Sequence, residues 1–151
     1  MFRLNRLTDY AVVVMGQMAG NLDRVRTAPQ IAEETGVPLP TVSKLMNTLA
    51  RAGLIASHRG ASGGYTLGRP AEAITVADII QALEGPIALT ACVDGSDDHC
   101  GSEGFCPMRG NWEQVNDAIR NALGGVTLAD MMFSAFPPFP ERKHSALDQV
   151  T

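Results

Sequence analysis

The sequence predicts a mainly α fold with one small β-hairpin, of the α+β class, and three observations carry that prediction. Apolar residues recur with a helical period in successive segments. Two short apolar runs flank a Gly-rich, basic segment, as a hairpin requires. Thr, Pro or Gly marks the expected helix ends. The 151 residues, 45% of them hydrophobic, suit one compact domain, or one domain with an added arm.

Leu7, Tyr10, Ala11, Val14, Met15 and Met18 follow the i, i+3, i+4, i+7 rhythm of an amphipathic helix, which Gly20 and Asn21 end. Thr27-Ala28-Pro29-Gln30 has the form of a capping box, with a Thr oxygen for the free amides of a helix start and Gln three residues later. The short helix behind it ends at Gly36. Pro40 suits the first turn of a third helix, whose buried stripe is Val42, Leu45, Met46 and Leu49 and which Gly53 closes.

Two short helices joined by a Gly-containing turn form a helix-turn-helix pattern. The second becomes the recognition helix, with Thr41, Ser43, Lys44, Asn47, Thr48 and Arg51 facing outward. Leu54 to Ser57 reads as a strand and Tyr65 to Leu67 as its return. Between them, His58-Arg59-Gly60-Ala61-Ser62-Gly63-Gly64 forms a hairpin tip, the wing of a winged helix. Its glycines let backbone approach a phosphate, and Arg59 is suited to a phosphate or a narrow minor groove. On this reading Thr41, Ser43 and Lys44 on the helix, with His58 and Arg59 on the wing, contact double-stranded promoter DNA.

The charge distribution agrees. Residues 1–69 hold eight Lys/Arg and four Asp/Glu, a balance of +4, and residues 70–151 hold four and twelve, a balance of −8. The net −4 conceals a basic half that suits an anionic partner.

Thr75 starts another capped helix, with Ile79, Ile80 and Leu83 on its apolar side, and Gly85-Pro86 ends it. A longer helix is expected from Pro107, carrying Met108, Trp112, Val115, Ile119, Ala122 and Leu123 on one face and ending at Gly124-Gly125. Helix-turn-helix proteins usually bind paired half-sites as dimers, so this stripe reads as a dimerisation helix. Thr127 caps a last short helix through Phe133, and a Pro-rich, polar tail follows. The expected organisation is a winged helix-turn-helix domain over 1–84, a cluster-binding loop over 85–106, the dimerisation and short C-terminal helices over 107–133, and a disordered tail over 134–151.

The only cysteines, Cys92, Cys100 and Cys106, fall within fifteen residues of that Gly-, Asp- and Ser-rich loop, spaced C-x7-C-x5-C. Thiolates are soft ligands that suit zinc or iron–sulfur clusters. Structural zinc sites use closer pairs, so the wide gaps favour a bulkier cluster, with zinc and three unrelated reduced thiols as the alternatives. No C-x-x-C pair, catalytic triad or phosphate-binding Gly loop is present, so no enzyme is expected. No run of eighteen apolar residues exists, and MFRLNRLTDY lacks the apolar stretch of a signal peptide. The odd cysteine count argues against a closed disulfide framework, and the expected setting is the cytoplasm, without a membrane partner.

The order of an LTDY helix, a helix-turn-helix, the HRGASGGYTLG wing and the triple cysteine resembles the Rrf-type winged-helix transcriptional regulators, over roughly residues 1–133. That family includes the cluster-assembly regulators of the Isc and Suf systems, the nitric-oxide-sensing repressor and iron-responsive rhizobial regulators. The chain is most similar to the Suf-type members. The resemblance implies a cytoplasmic homodimer whose DNA binding follows the state of a cluster held by Cys92, Cys100 and Cys106, 4Fe–4S in preference to 2Fe–2S. An iron- or nitric-oxide-responsive repressor and a zinc-stapled winged-helix interaction module are the alternative functions. Isc-type members place a His three residues after the last cysteine, where this chain has Arg109. The nitric-oxide sensor instead uses an Asp of the other subunit's first helix. Asp9 matches that position and is the expected fourth ligand, with His99 as another candidate.

Overall fold

The computed structural model describes residues 3–132 apart from Asp97 and Arg109. Helix α1, Arg6–Ala19, starts at Asn5, whose side chain accepts from the Thr8 amide at 2.9 Å. Of the stripe read from the sequence it buries Ala11, Val14, Met15 and Met18, while Leu7 and Tyr10 are half-buried; Thr8 is buried as well. Helix α2, Ala28–Thr35, begins with the complete Thr27/Gln30 capping box. It stops at Gly36, whose φ of 73° is one that L side chains rarely adopt. Helix α3, Leu39–Arg51, carries Pro40 in its first turn and buries Val42, Leu45, Met46 and Leu49.

Strands β1, Ile55–His58, and β2, Gly64–Leu67, form an antiparallel hairpin in which Ile55 faces Leu67 and His58 faces Gly64. Both strands reach one residue closer to the turn than the sequence suggested, which moves His58 out of the tip and into the ladder. Arg26, in the α1–α2 connection, adds an isolated bridge on the far side of β2. Its amide donates to the Tyr65 carbonyl at 3.0 Å and its carbonyl accepts from the Tyr65 amide at 2.8 Å.

A single 3-10 turn at Ala71–Ala73 precedes helix α4, Val76–Glu84, which has its own capping box from Thr75 and Asp78. Helix α5, Asn111–Gly124, begins four residues after the expected Pro107. Met108 lies in a turn closed by the Asn111 amide on its carbonyl at 3.0 Å, and Gly110, with φ 81°, is the residue before the helix. Met108 is therefore outside the helical stripe. Helix α6, Leu128–Met132, is capped by Thr127 and Asp130. The expected extension to Phe133 and the tail over 134–151 lie outside the described residues.

The main core joins α1, α2, α3, the hairpin and α6, with Val14, Met15, Ile31, Met46, Leu49 and Leu128 fully enclosed. Ile79 of α4 belongs to it, whereas Ala77 and Ile80 face a second cluster with Ile87, Ile119 and Leu123. Thus α4 is a partition: one side closes the helix-turn-helix core and the other receives α5. The apolar stripe of α5 is consequently divided. Ile119 and Leu123 pack on α4, while Trp112 and Val115 are each 44% exposed. Among the described residues, no helix is long and apolar enough to cross a membrane.

Candidate nucleic-acid interface and cysteine loop

The candidate recognition surface is built on a packed base. Burial of four apolar side chains on one side of α3 fixes which residues point away from the core. Lys44, Asn47 and Arg51 are exposed, whereas Thr41, Ser43 and Thr48 are half-buried. The expected outward set is therefore graded, with Thr41 and Ser43 at the edge of the exposed face. Pro38 precedes the helix and no side chain caps its start, in contrast to α1, α2 and α4. Amides at such a start favour an anion.

At the hairpin, His58 does not belong to the tip. It pairs with Gly64, and its Nε2 lies 2.9 Å from the Thr66 hydroxyl across the ladder. Its side chain remains exposed, so it flanks the turn instead of forming it. Arg59 is exposed in the turn itself, which the Gly63 amide closes on the Gly60 carbonyl at 3.0 Å. A Cβ on Gly63 would sit 2.6 Å from the His58 carbonyl oxygen, so this tight tip needs a glycine there. Among the described residues, neither Lys44 nor Arg59 forms an ion pair.

Cys92, Cys100 and Cys106 are all free and half-buried. Cys92 Sγ lies 3.2 Å from the Thr90 hydroxyl. The base of their loop is moored to α5. Asn116, fully buried, donates to the Ile87 carbonyl and accepts from the Leu89 amide, both at 3.0 Å. Arg120 donates to the carbonyls of Ile87 and Asp94, and Glu113 accepts from the Asp94 amide at 2.8 Å. Val93, next to Cys92, is buried. Cys100 and Cys106 follow farther along, on either side of a 3-10 turn at Glu103–Phe105.

Among the described residues, no three His, Cys, Asp or Glu side chains converge into a metal-binding group. The three thiols thus share a loop without being gathered at a point. Asp9 is exposed in the first turn of α1, beside a cavity of about 700 Å³ that Arg3, Arg6, Val12 and Met131 help to line. His99 is exposed in the loop, and Arg109 lies outside the described residues.

Sequence reasoning missed three polar residues that organise these surfaces: Thr8, Arg26 and Asn116. Thr8 is buried and its hydroxyl donates to Glu84 at the end of α4, tying the start of α1 to the point where the cysteine loop departs. Asn116 carried a usable signal, since it lies between Trp112, Val115 and Ile119 on the helical period. Arg26 carried none, because its partners come from three separate segments.

Comparison with known proteins agrees with this geometry. Residues 4–134 match the profile of the family described as Rrf2, iron-dependent transcriptional regulator. A Neisseria meningitidis protein, named among helix-turn-helix transcriptional regulators, is 35% identical over 131 residues, covering 86% of this chain and 87% of that protein. The structure of CymR, the global cysteine regulator of B. subtilis, superposes with a TM-score of 0.65 at 31% identity, covering 87% of this chain and 97% of that one. The T. potens IscR structure gives a TM-score of 0.63 at 32% identity, covering 87% and 86%. The helix-turn-helix, the hairpin wing and these matches establish one conclusion: the chain belongs to the Rrf2 family of transcriptional regulators, and is not an enzyme.

Proposed function

We propose that this chain is a homodimeric, cytoplasmic regulator whose binding to promoter DNA is controlled by an iron–sulfur cluster, and that its targets include Suf-type cluster-assembly genes. The observation that carries the reading is the set of three free, half-buried thiols confined to one loop whose base is fixed to α5. Soft thiolate donors fit such a cluster, and these three are the only cysteines in the chain. When bound, the cluster supplies a redox- and iron-sensitive centre that selects one arrangement of the loop. Cys92, Cys100 and Cys106 are its protein ligands, and Asp9 of the other subunit is the fourth. The preferred form is 4Fe–4S.

The chain's own residues connect that centre to DNA. Drawing the three thiols together pulls on the segment that Asn116 and Arg120 hold against α5. The exposed side of α5, with Trp112 and Val115, faces the second copy. A shift of α5 therefore resets the spacing of the two winged domains, which must match the half-site spacing. Thr41, Ser43 and Lys44 then approach base edges and phosphates from α3, and His58 and Arg59 do so from the wing.

The test is anaerobic purification with iron and sulfide quantification and visible spectroscopy, on wild type, Cys92→Ala and Asp9→Ala. The expected outcome is a coloured wild type with matched iron and sulfide, loss of both in Cys92→Ala, and an altered spectrum or faster loss in Asp9→Ala. A colourless wild type free of iron and sulfide contradicts the reading.

The likeness to CymR favours a second reading, in which the chain responds to cysteine supply through thiols that stay free. Colourless protein whose DNA affinity changes with cysteine-derived metabolites supports it.

A further inference from the structure

We infer that Arg26 is the positioning residue that sets the DNA-reading wing against the helix-turn-helix. The inference rests on the proposal that Arg59 contacts DNA from the wing. Arg26 is only 1% exposed, although it lies in a connecting segment and carries a guanidinium. Its backbone pairs with Tyr65, making a one-residue third strand beside β2. Its side chain turns the other way. Nη1 donates to the Gln17 carbonyl in the last turn of α1 at 2.7 Å and lies 3.0 Å from Glu34 Oε2 on α2. One residue therefore links the wing, the end of α1 and the first helix of the helix-turn-helix.

Each contact has a physical reason. Gln17 is among the last residues of α1, where carbonyls lack helical partners and a cation complements the dipole. Both contacts are made by Nη1, whose two N–H groups lie in the rigid guanidinium plane and serve the carbonyl and the carboxylate together. The approach to β2 is tight. A Cβ on Gly64 would fall 2.5 Å from the Arg26 carbonyl oxygen and 2.7 Å from its carbonyl carbon, so the strand closes here only on a glycine. Gly64 is the partner of His58 in the ladder, one residue before Arg59. The path from the buried guanidinium to the DNA-facing tip is thus Arg26, Tyr65 and Gly64, and then the turn. Arg26 Nε has no hydrogen-bond partner, so the buried side chain is held through the other end of its guanidinium.

A purely structural Arg26 would stabilise the fold without changing what Arg59 does. A positioning role makes the two residues interdependent. The experiment uses full-length wild type, Arg26→Met, Arg26→Lys and Glu34→Gln, each with and without Arg59→Ala. Affinity is measured for a duplex selected by the wild-type protein from a random library, and amide exchange of Tyr65 is followed in the free protein. The expected result is a roughly tenfold affinity loss for Arg59→Ala in wild type, shrinking to less than about twofold in the Arg26→Met background. Tyr65 exchange accelerates in Arg26→Met, and Arg26→Lys restores part of both effects. If Arg26→Met does not fold, Glu34→Gln, which removes the charge and keeps an acceptor, serves in its place and is expected to show the same coupling in weaker form. An equal cost of Arg59→Ala in all backgrounds, with Tyr65 exchange unchanged, overturns the inference. If Arg59→Ala has no effect in wild type, the wing contact of the proposed function fails instead, and Tyr65 exchange alone decides: acceleration in Arg26→Met retains the positioning, and no change overturns it.

Discussion

Asn116 on α5 accepts the Leu89 amide of the cysteine loop at 3.0 Å from a position with no exposed surface. The same side chain donates to the Ile87 carbonyl at 3.0 Å, so one amide group satisfies a donor and an acceptor of the loop backbone. Replacing it with Ala leaves both backbone groups without that partner. Asn116→Ala is expected to destabilise the protein by about 1–3 kcal/mol, and to lower the yield of bound iron because the start of the loop is released. Chemical denaturation and iron assay check the two effects.

Thr8 and Glu84 form the comparable tie between α1 and α4. The buried hydroxyl donates to a carboxylate that also accepts the Asn5 amide at 3.0 Å. Thr8→Val conserves shape and removes the donor, and is expected to cost roughly 1.5–3 kcal/mol, the range for a hydrogen bond to a charged group. Glu84→Gln keeps an acceptor and is expected to cost less. The comparison is made by thermal or denaturant unfolding of the two variants.

At α6, the Asp130 carboxyl is held below its ordinary value of 3.8, chiefly by the hydrogen bond from the Thr127 backbone amide and then by one from the Thr127 hydroxyl. A depressed carboxylate stabilises the folded state above its unfolded value and loses that contribution as pH falls through the folded value. The α6 cap is therefore expected to be intact at neutral pH and to weaken below about pH 4. Exchange of the Thr127 and Asp130 amides against pH reads this directly, and Asp130→Asn should flatten the acid-side dependence.

The DNA surface makes a separable prediction. Lys44 is exposed on α3 and Arg59 on the wing turn. Lys44→Ala is expected to weaken binding evenly across sequences and to lower the salt slope by about one if it neutralises one phosphate. Equilibrium binding over a range of salt concentrations checks it, and an unchanged slope counts against a phosphate contact for Lys44.

The helices were legible where short-range chemistry decides them. Thr27 with Gln30 and Thr75 with Asp78 form capping boxes, and Gly36 stops α2 in the left-handed region. Such signals act within a turn or two of chain. Periodicity misplaced the start of α5 because Met108 sits four residues before Trp112 and so shares its phase, while the turn that excludes it depends on backbone geometry at Gly110. Composition marks a turn without fixing the register, and His58 accordingly falls in the ladder and not in the tip. The Arg26 bridge to Tyr65 joins segments far apart in sequence, and no local pattern announces it. For the cysteines, the sequence shows that they share a loop but not how near their thiols come, and among the described residues they form no metal-binding group.

Control of DNA binding by the cysteine loop is tested by comparing the protein with and without its iron. Anaerobically purified protein is titrated with a selected duplex before and after its iron is removed by a chelator, with Cys92→Ala measured alongside. Iron removal is expected to change affinity or sequence preference by at least about tenfold, equivalent to roughly 1.4 kcal/mol, and Cys92→Ala is expected to behave as the iron-free wild type does. Equal affinity and equal sequence preference in all three preparations would contradict it.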